Sequence, residues 1–523
     1  MAYVCHAQDS LVAQPPSPLL RNYQFVKQQE PWLTGDNAAG LTTFSAKNIC
    51  EAEISLAHGG GNLTDLRGSS NVLEVGASVE SFYRISRRTV AYGAISYTGW
   101  TGRDMAGSAF MRQRLPFDII EQTNDNTGRK HRDTYRLTGA VGVDLWRGYS
   151  VGARLDYTAA NYAKYKDLRH SNKLMDLKLS VGVAAPVLSC LTVGANYQYH
   201  RTTESVTFST YGKEDRVYNS IVDFGAMMGR LEQFGSTGYT DKSREMPLVE
   251  NQNGGSVQIE WKPAAALSLH NELTMAHRAG YYGRKSPYTI VYTNHHANIL
   301  AYQGRFTLRH ANSIHQLGVR AEVENMVNNR ENYTELKNVA GASHYEYFTD
   351  TRTGNKRWST LDVDYTLHLG IQGETPTWTV SAGYHRMNRR QTSYVYPYYR
   401  RQDISVDHLS AGLTRNIITR RGVWSLSLQA AWQKGQGEPY EDGTYVTPGE
   451  KQTQPATMDY YLLQEHHLLT ARQYHVGGEL KYAFLFPATQ LKTHIRASVQ
   501  HRKSTEGSRH DYTTAALAIG CTF

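Results

Sequence analysis

From about Asn48 to Phe523 the chain falls into segments of about ten residues in which every second side chain is apolar, the length of a tilted strand crossing a bilayer. Ile54 and Leu56, then Leu73, Val75 and Val79, then Val151, Leu155 and Tyr157 set the rhythm. Leu177, Leu179, Val181 and Val183, and later Trp424, Leu426, Leu428 and Trp432, continue it. The connections alternate as strictly as the side chains. Short turns "SRR", "RGYS", "APVLS", "KPAAA", "RHANS", "GETPT", "TRRG" and "PATQ" lie at one end of successive hairpins. Long polar loops near 101–133, 201–254, 324–357, 386–403 and 433–471 lie at the other. A soluble sandwich has no reason to keep its short turns on one side, whereas an outer-membrane barrel does. The chain closes on "TAALAIGCTF", an alternating strand ending at Phe523, the terminal aromatic expected to act as a barrel signal at the membrane girdle. The expectation is all-β: a closed antiparallel transmembrane β-barrel of about 18 strands, with 16–20 as the range because weak segments are easily miscounted.

Composition supports lipid over a protein core as the apolar environment. Apolar residues make up only 40% of 523 residues and Tyr (36) far outnumbers Phe (13), with a mean hydropathy of −0.54. No run approaches the roughly 20 apolar residues of a membrane helix. Strands that are apolar on one face only keep mean hydropathy low and enrich Tyr at the interfaces. The net charge of +9 is scattered among Asp and Glu, without any nucleic-acid-binding motif. It suits an anionic lipopolysaccharide leaflet, and nucleic acid is not expected as a partner. Cys5, Cys50, Cys190 and Cys521 have no paired or metal-ligand spacing.

The opposite face of each segment is polar, as a lumen requires. It carries Glu51, Glu53, Glu74, Glu80, Arg136, Arg154, Asp156, Lys178, Glu260, His270, Glu272, Arg320, Glu322, Asp362, Asp364, Lys492 and Arg496. Both signs fall on neighbouring segments, which predicts an ionic lattice across the wall, built from Arg154, Asp156, His270, Glu272, Arg320, Glu322, Asp362, Asp364, Lys492 and Arg496. Residues 1–47 lack the alternation and are expected to be a residual leader plus a periplasmic or plug segment, with the barrel over 48–523. In "MAYVCHAQDS", Cys5 and Ala7 are placed as the small residues ahead of a signal-peptidase cut before Gln8.

"TGDNAAGL" at 34–41, "SFYRISRRTVAYGAISY" at 81–97, "MAGSAFMRQRLPFDIIE" at 105–121, "LDYTAANYAKYKDLRHSNKLMDL" at 155–177 and "GANYQYHRTTES" at 194–205 resemble an outer-membrane β-barrel family of Bacteroidota known only as a domain of unknown function. The resemblance implies location in the Gram-negative outer membrane and the barrel architecture. It also implies work beside a TonB-dependent receptor and a surface lipoprotein. It brings no substrate or catalytic residues. "DNAAGL" is similar to the Asn-Pro-Ala start of FadL-type channels, with Ala38 where they have proline.

Candidate chemistry is sparse. Among 21 histidines, His295–His296 and Glu465–His466–His467 invite a metal, but adjacent side chains on a strand point to opposite faces. His270 and Glu272 share a face and suit either an acid–base pair or one cell of the lattice. No H-E-x-x-H motif occurs, and neither an enzyme nor a cofactor is expected. "RRQTSYVYPYYRRQ" brings together Arg389, Arg390, Tyr394, Tyr396, Tyr398, Tyr399, Arg400 and Arg401, residue types enriched at binding sites. They form either a surface-binding loop or strand extensions whose arginines hold lipopolysaccharide phosphates. The leading functional reading is a non-enzymatic accessory or channel subunit of a nutrient-uptake complex, inserted by the barrel-assembly machinery. A stand-alone diffusion pore and a surface hydrolase are the alternatives.

Overall fold

Each apolar-alternating segment is a strand because its backbone groups can be satisfied in lipid only by neighbouring strands, and the ladder must close so that no edge remains. The computed structural model describes residues 17–122, 126–211, 217–234, 246–337, 339, 341–486, 491–507 and 510–523. The leader expected around Cys5, Ala7 and Gln8 and the turn "PATQ" lie outside the described residues.

Eighteen antiparallel strands run from Asn48–Gly61 to Asp511–Thr522, each paired with the next in the chain. The first and last strands close the barrel, with Ile54 opposite Ile519 and Leu56 opposite Leu517. At the seam the Phe523 N–H donates to the Cys50 carbonyl at 3.0 Å and the Cys50 N–H donates back at 2.8 Å. The described short turns all lie at one end, and the expected apolar faces point outward: Ile54 is 70% exposed and Ile519 54%. Because Ile54 and Ile519 sit opposite each other in mid-strand, Ile54→Arg places a charge in the hydrocarbon band. It should cost about 2–4 kcal/mol of folding free energy, read by urea unfolding in lipid vesicles.

Strand length departs from expectation. Regions 324–357 and 386–403, expected as long loops, are mostly strand: Ser313–Lys337 meets Ser343–Gln372, and Thr375–Val395 meets Tyr398–Ile418 across Tyr396–Pro397. The longest of these has 30 residues, about 100 Å of strand at 3.4 Å per residue, far more than a bilayer needs. Beyond the hydrocarbon the ladder still pairs, but the outward face no longer has to be apolar, so the sequence rhythm fades while the strand continues.

Two sets of elements occupy the interior. At the short-turn end, helix Tyr23–Gln29 and the 3-10 turns Pro31–Leu33 and Ala38–Thr43 pack against the lumen wall through Tyr23, Leu33, Leu41 and Phe44, which meet Ile49, Phe82 and Val90. At the long-loop end a four-stranded sheet, Asp118–Glu121, Tyr218–Gly225, Met228–Phe234 and Ala456–Thr457, is built from the loops. Phe110, Leu115, Phe117, Val222 and Phe224 from those loops join Val206, Phe208, Leu248 and Tyr282 of the wall in a second apolar core. Helix Asp459–Thr470 closes over the sheet through Tyr461 and Leu462, which pack with Ile120, Ile221 and Met227.

Candidate functional site

The lumen is where sequence places uncommon chemistry, and its two ends are organised differently. At the turn end the small-residue 3-10 turn Ala38–Thr43 follows directly on Asn37. Asn37 is almost wholly buried. Its Nδ2 donates to the carbonyls of Val183 (2.9 Å) and Ala195 (3.3 Å) and to Gln258 Oε1 (3.0 Å), while its Oδ1 accepts from the Ala39 N–H at 3.1 Å. Such close seating needs a wall without side chains. A Cβ on Gly152 would overlap the Ala38 backbone, and one on Gly182 the Asn37 side chain. Around this anchor, Trp32 Nε1 donates to Glu260 (2.9 Å), Lys178 pairs with Asp36 (2.6 Å) and Arg309 donates to the Gln29 carbonyl (3.0 Å). The Asn22 N–H donates to Glu374 (3.0 Å), and Lys27 pairs with Glu80 (2.5 Å) on the far side of the wall.

At the loop end, cations reach inward from the wall to the loops. Lys164 pairs with Glu121 at 2.7 Å, Lys130 donates to the Ser108 carbonyl at 2.8 Å, and Lys356 donates to the Leu115 carbonyl at 2.9 Å. The reverse polarity holds around loop arginines. Arg112 pairs with the wall carboxylates Glu204 (3.3 Å) and Glu250, and Arg114 with Glu322 and Glu324. Buried ions are tolerated only when paired in this way, so the loops are held by groups that cannot be exchanged for water cheaply.

Residues 38–523 match the sequence pattern of DUF6850, a family of unknown function. The chain belongs to that family. No curated protein matches it in sequence. Solved structures to which this DUF6850 chain is similar include the outer membrane transporter YddB from Escherichia coli, at 9% identity over 92% of this chain and 81% of that one, with a TM-score of 0.41. The ferric preacinetobactin receptor BauA from Acinetobacter baumannii has 7% identity, 91% and 80% coverage and a TM-score of 0.37. The monoaromatic hydrocarbon channel CymD has 9% identity, 97% coverage of both chains and a TM-score of 0.29. Likenesses this distant bear no weight on function, and the closed barrel rests on its own strand pairing.

Within the DUF6850 barrel the residues expected to form an ionic lattice divide. Arg154 holds Asp156 through two bonds, Nε at 2.7 Å and Nη2 at 2.8 Å. Arg320 meets Asp364 at 2.9 Å, and Arg496 joins Glu53 to Glu479. Glu322 instead serves the loop residue Arg114, Asp362 accepts from His385 at 2.7 Å, and Lys492 donates to the Arg21 carbonyl at 2.5 Å. His270 and Glu272 do not form a cell of the lattice. His270 lies edge-on to Trp32, ring centroids 5.1 Å apart, and neither ring nitrogen has a hydrogen-bond partner among the described residues. Glu272 accepts from Ser256 (2.6 Å) and Gln258 (2.7 Å). The entering segment, absent from a strand-by-strand reading, covers that part of the wall.

The "RRQTSYVYPYYRRQ" string is a hairpin with two faces. Arg389, Tyr398 and Arg400 turn inward: Arg389 pairs with Glu465 (2.8 Å), and Arg400 with Asp442 (2.7 Å) and Asp459 (2.8 Å). They fasten helix Asp459–Thr470, where Arg389 holds the Glu465 carboxylate below its ordinary range. Arg390, Tyr394, Tyr399 and Arg401 turn outward, with Tyr396 exposed at the tip. There Arg401 lies 4.6 Å from the Tyr399 ring centroid, and Tyr394 and Tyr399 both pack on Tyr445. Glu465, His466 and His467, read from sequence as strand or loop, belong to the same helix, where His466 and His467 meet the carbonyls of Gly437 and Glu506. His295 and His296 do face opposite ways, His295 buried on Glu250 at 2.9 Å and His296 exposed. Among the described residues no group of three or more His, Cys, Asp or Glu could hold a metal ion.

The inner sheet also carries a buried carboxyl group, Asp223. Asp118 and Asp223 stand opposite each other across two of its strands, and Asp118 pairs with Arg67 at 2.5 Å. Burial pushes Asp223 up from 3.8 to about 6, against the pull of Lys356. The folded carboxyl therefore keeps a proton that the unfolded one releases between these values, so the sheet should lose stability as pH rises through about 6. Asp223→Asn keeps an acceptor for the Gly225 and Met228 N–H groups. The variant should protect the loops at pH 7.5 as well as at pH 5, whereas the natural chain is cleaved faster at the higher pH in limited proteolysis.

Proposed function

We propose that this DUF6850 chain is a non-enzymatic barrel of the Gram-negative outer membrane that serves nutrient uptake as an accessory or channel subunit, closed at rest. What supports the reading is the double filling of the lumen: residues 17–47 from the turn end, and the sheet of loop segments from the other. A general diffusion pore needs a continuous water path, and two independently anchored inserts oppose one. Residues 17–47 act as a plug and 48–523 as the barrel that holds it.

The outer surface meets lipid along its apolar band. Above the band, Arg390, Tyr394, Tyr396, Tyr399 and Arg401 meet lipopolysaccharide headgroups, arginine being the side chain best shaped for phosphate. Phe523, at the seam, is the mark by which barrel-assembly machinery takes up the chain. The partners are a TonB-dependent receptor and a surface lipoprotein, which would supply the force or ligand that moves an insert.

The reading is tested in two ways. In planar bilayers the full chain should carry no steady current, and affinity purification from native membranes should recover both partners. Steady ion current together with recovery of the barrel alone would replace this reading with the diffusion pore.

A further inference from the structure

We infer that the lumen contains a binding site for a small carboxylate-bearing, polyhydroxylated solute, the sugar-acid class of compound. The site is a cavity of about 540 Å³ above helix Tyr23–Gln29, within the range of roughly 300–1,000 Å³ that holds small ligands. Its carboxylates are mostly committed. Glu80 takes Lys27 and the Tyr92 hydroxyl, Glu53 takes Arg496 and His494, and Glu479 takes the other arm of Arg496. Among the described residues Glu51 accepts only from the Gln24 amide, at 3.0 Å. Two cations that line the same cavity, Arg136 and Lys481, have neither an ion pair nor a hydrogen bond among the described residues.

Unspent donors decide what such a chamber attracts. The formal charge of the chamber balances, four carboxylates against Arg136, Lys481, Arg496 and Lys27, but Arg136 and Lys481 keep open donor faces, and a guanidinium with an open face matches a carboxylate through two parallel bonds. The remaining wall favours hydroxyl groups. Ser78 and Ser96, opposite each other on neighbouring strands, both line the cavity, as does the Gln24 amide. A second cavity of about 280 Å³ continues from it toward the turn end, sharing Gln24, Glu51, Glu479 and Lys481. Its walls are hydroxyl-rich, with Thr379, Thr414, Ser425 and Ser427, and Lys492 stands farther along. The cavities thus offer an anion the positive stations Arg136, Lys481 and Lys492, set among serine and threonine hydroxyls and the carboxylates Glu51 and Glu479. Neither cavity is apolar enough to favour a hydrophobic cargo.

This inference names the cargo of the uptake reading and so rests on it, but the site can be tested without conduction. Isothermal titration calorimetry of the full chain in detergent, at low ionic strength, should detect D-glucuronate, with D-glucose binding at least about tenfold more weakly. The R136Q/K481Q variant should lose the preference and R136K/K481R should keep it. Absence of glucuronate binding to the natural chain, equal binding of the two sugars, or a preference that survives R136Q/K481Q would each overturn the site. A steady current through the natural barrel, with the glucuronate preference intact, would overturn the closed-barrel reading while supporting the site.

Discussion

Replacing Asn37 by alanine together with Gly152 by leucine is expected to release residues 17–47 from the lumen wall. The Asn37 amide ties the entering segment to two wall carbonyls and to Gln258, and receives the Ala39 N–H in return. At about 0.5–1.5 kcal/mol for each net hydrogen bond, with Gln258 and the carbonyls left partly unsatisfied, alanine should cost about 2–4 kcal/mol of docking. That alone need not release the segment, because Trp32, Asp36 and Lys27 keep their own partners. Leucine at 152 adds a clash of another kind. Its Cβ meets the Ala38 backbone and not a movable side-chain tip, and backbone can yield only by leaving the groove. The strands themselves should persist, since their outward faces and ladders are untouched. New proteolytic cleavage within 17–47 is the expected reading, while the loop-end insert keeps the barrel free of steady current. A double variant that stays protected within 17–47 would mean that the Asn37 anchor does not hold the segment in the lumen.

What could be read from the sequence follows from where lipid acts. Ile54, Val181, Leu428 and Ile519 alternate because every second side chain in the bilayer must be apolar, and each of them faces outward. Above the bilayer that requirement lapses. Asn328, Arg330, Tyr345 and Glu346 still lie on paired strands, yet their sequence looks like a loop. The inward elements were hidden for a different reason. Phe110 and Phe117 sit in a string without period, and their burial depends on wall residues such as Phe208 and Tyr282, far away in sequence. The lattice was legible where partners are on the same or neighbouring strands, as in Arg154–Asp156 and Arg320–Asp364. It failed at His270 and Glu322, whose neighbours Trp32 and Arg114 come from segments that no strand pattern places in the lumen. The eight-residue Arg/Tyr set looked like one surface but alternates across a ladder, so Arg389 and Arg400 bind the interior while Arg390 and Arg401 face out.

At the other end of the lumen, Arg112→Glu should expel the loop that contains it. Glu204 is fully buried and Glu250 nearly so, and Arg112 is the cation that touches both. Glu250 retains Arg278 and His295, but among the described residues Glu204 would keep only the Met111 N–H and the Asn172 amide. Breaking a buried pair by removing one partner costs about 3–5 kcal/mol, and glutamate at 112 adds a third negative charge to the same pocket. The cheapest escape is for the loop to swing into water, taking Phe110 and Phe117 out of the lumenal core. Ser108, buried beside Asp118 in the same loop, makes this measurable: cysteine placed there should resist a membrane-impermeant maleimide in the natural background and react when residue 112 is glutamate. A second comparison separates charge from shape. In Arg112→Ala the damage comes from an uncompensated carboxylate, so adding Glu204→Gln, which keeps acceptor and volume, should restore much of the protection. Were the loop held by its apolar residues alone, the two substitutions would add and the double variant would be labelled at least as fast as Arg112→Ala.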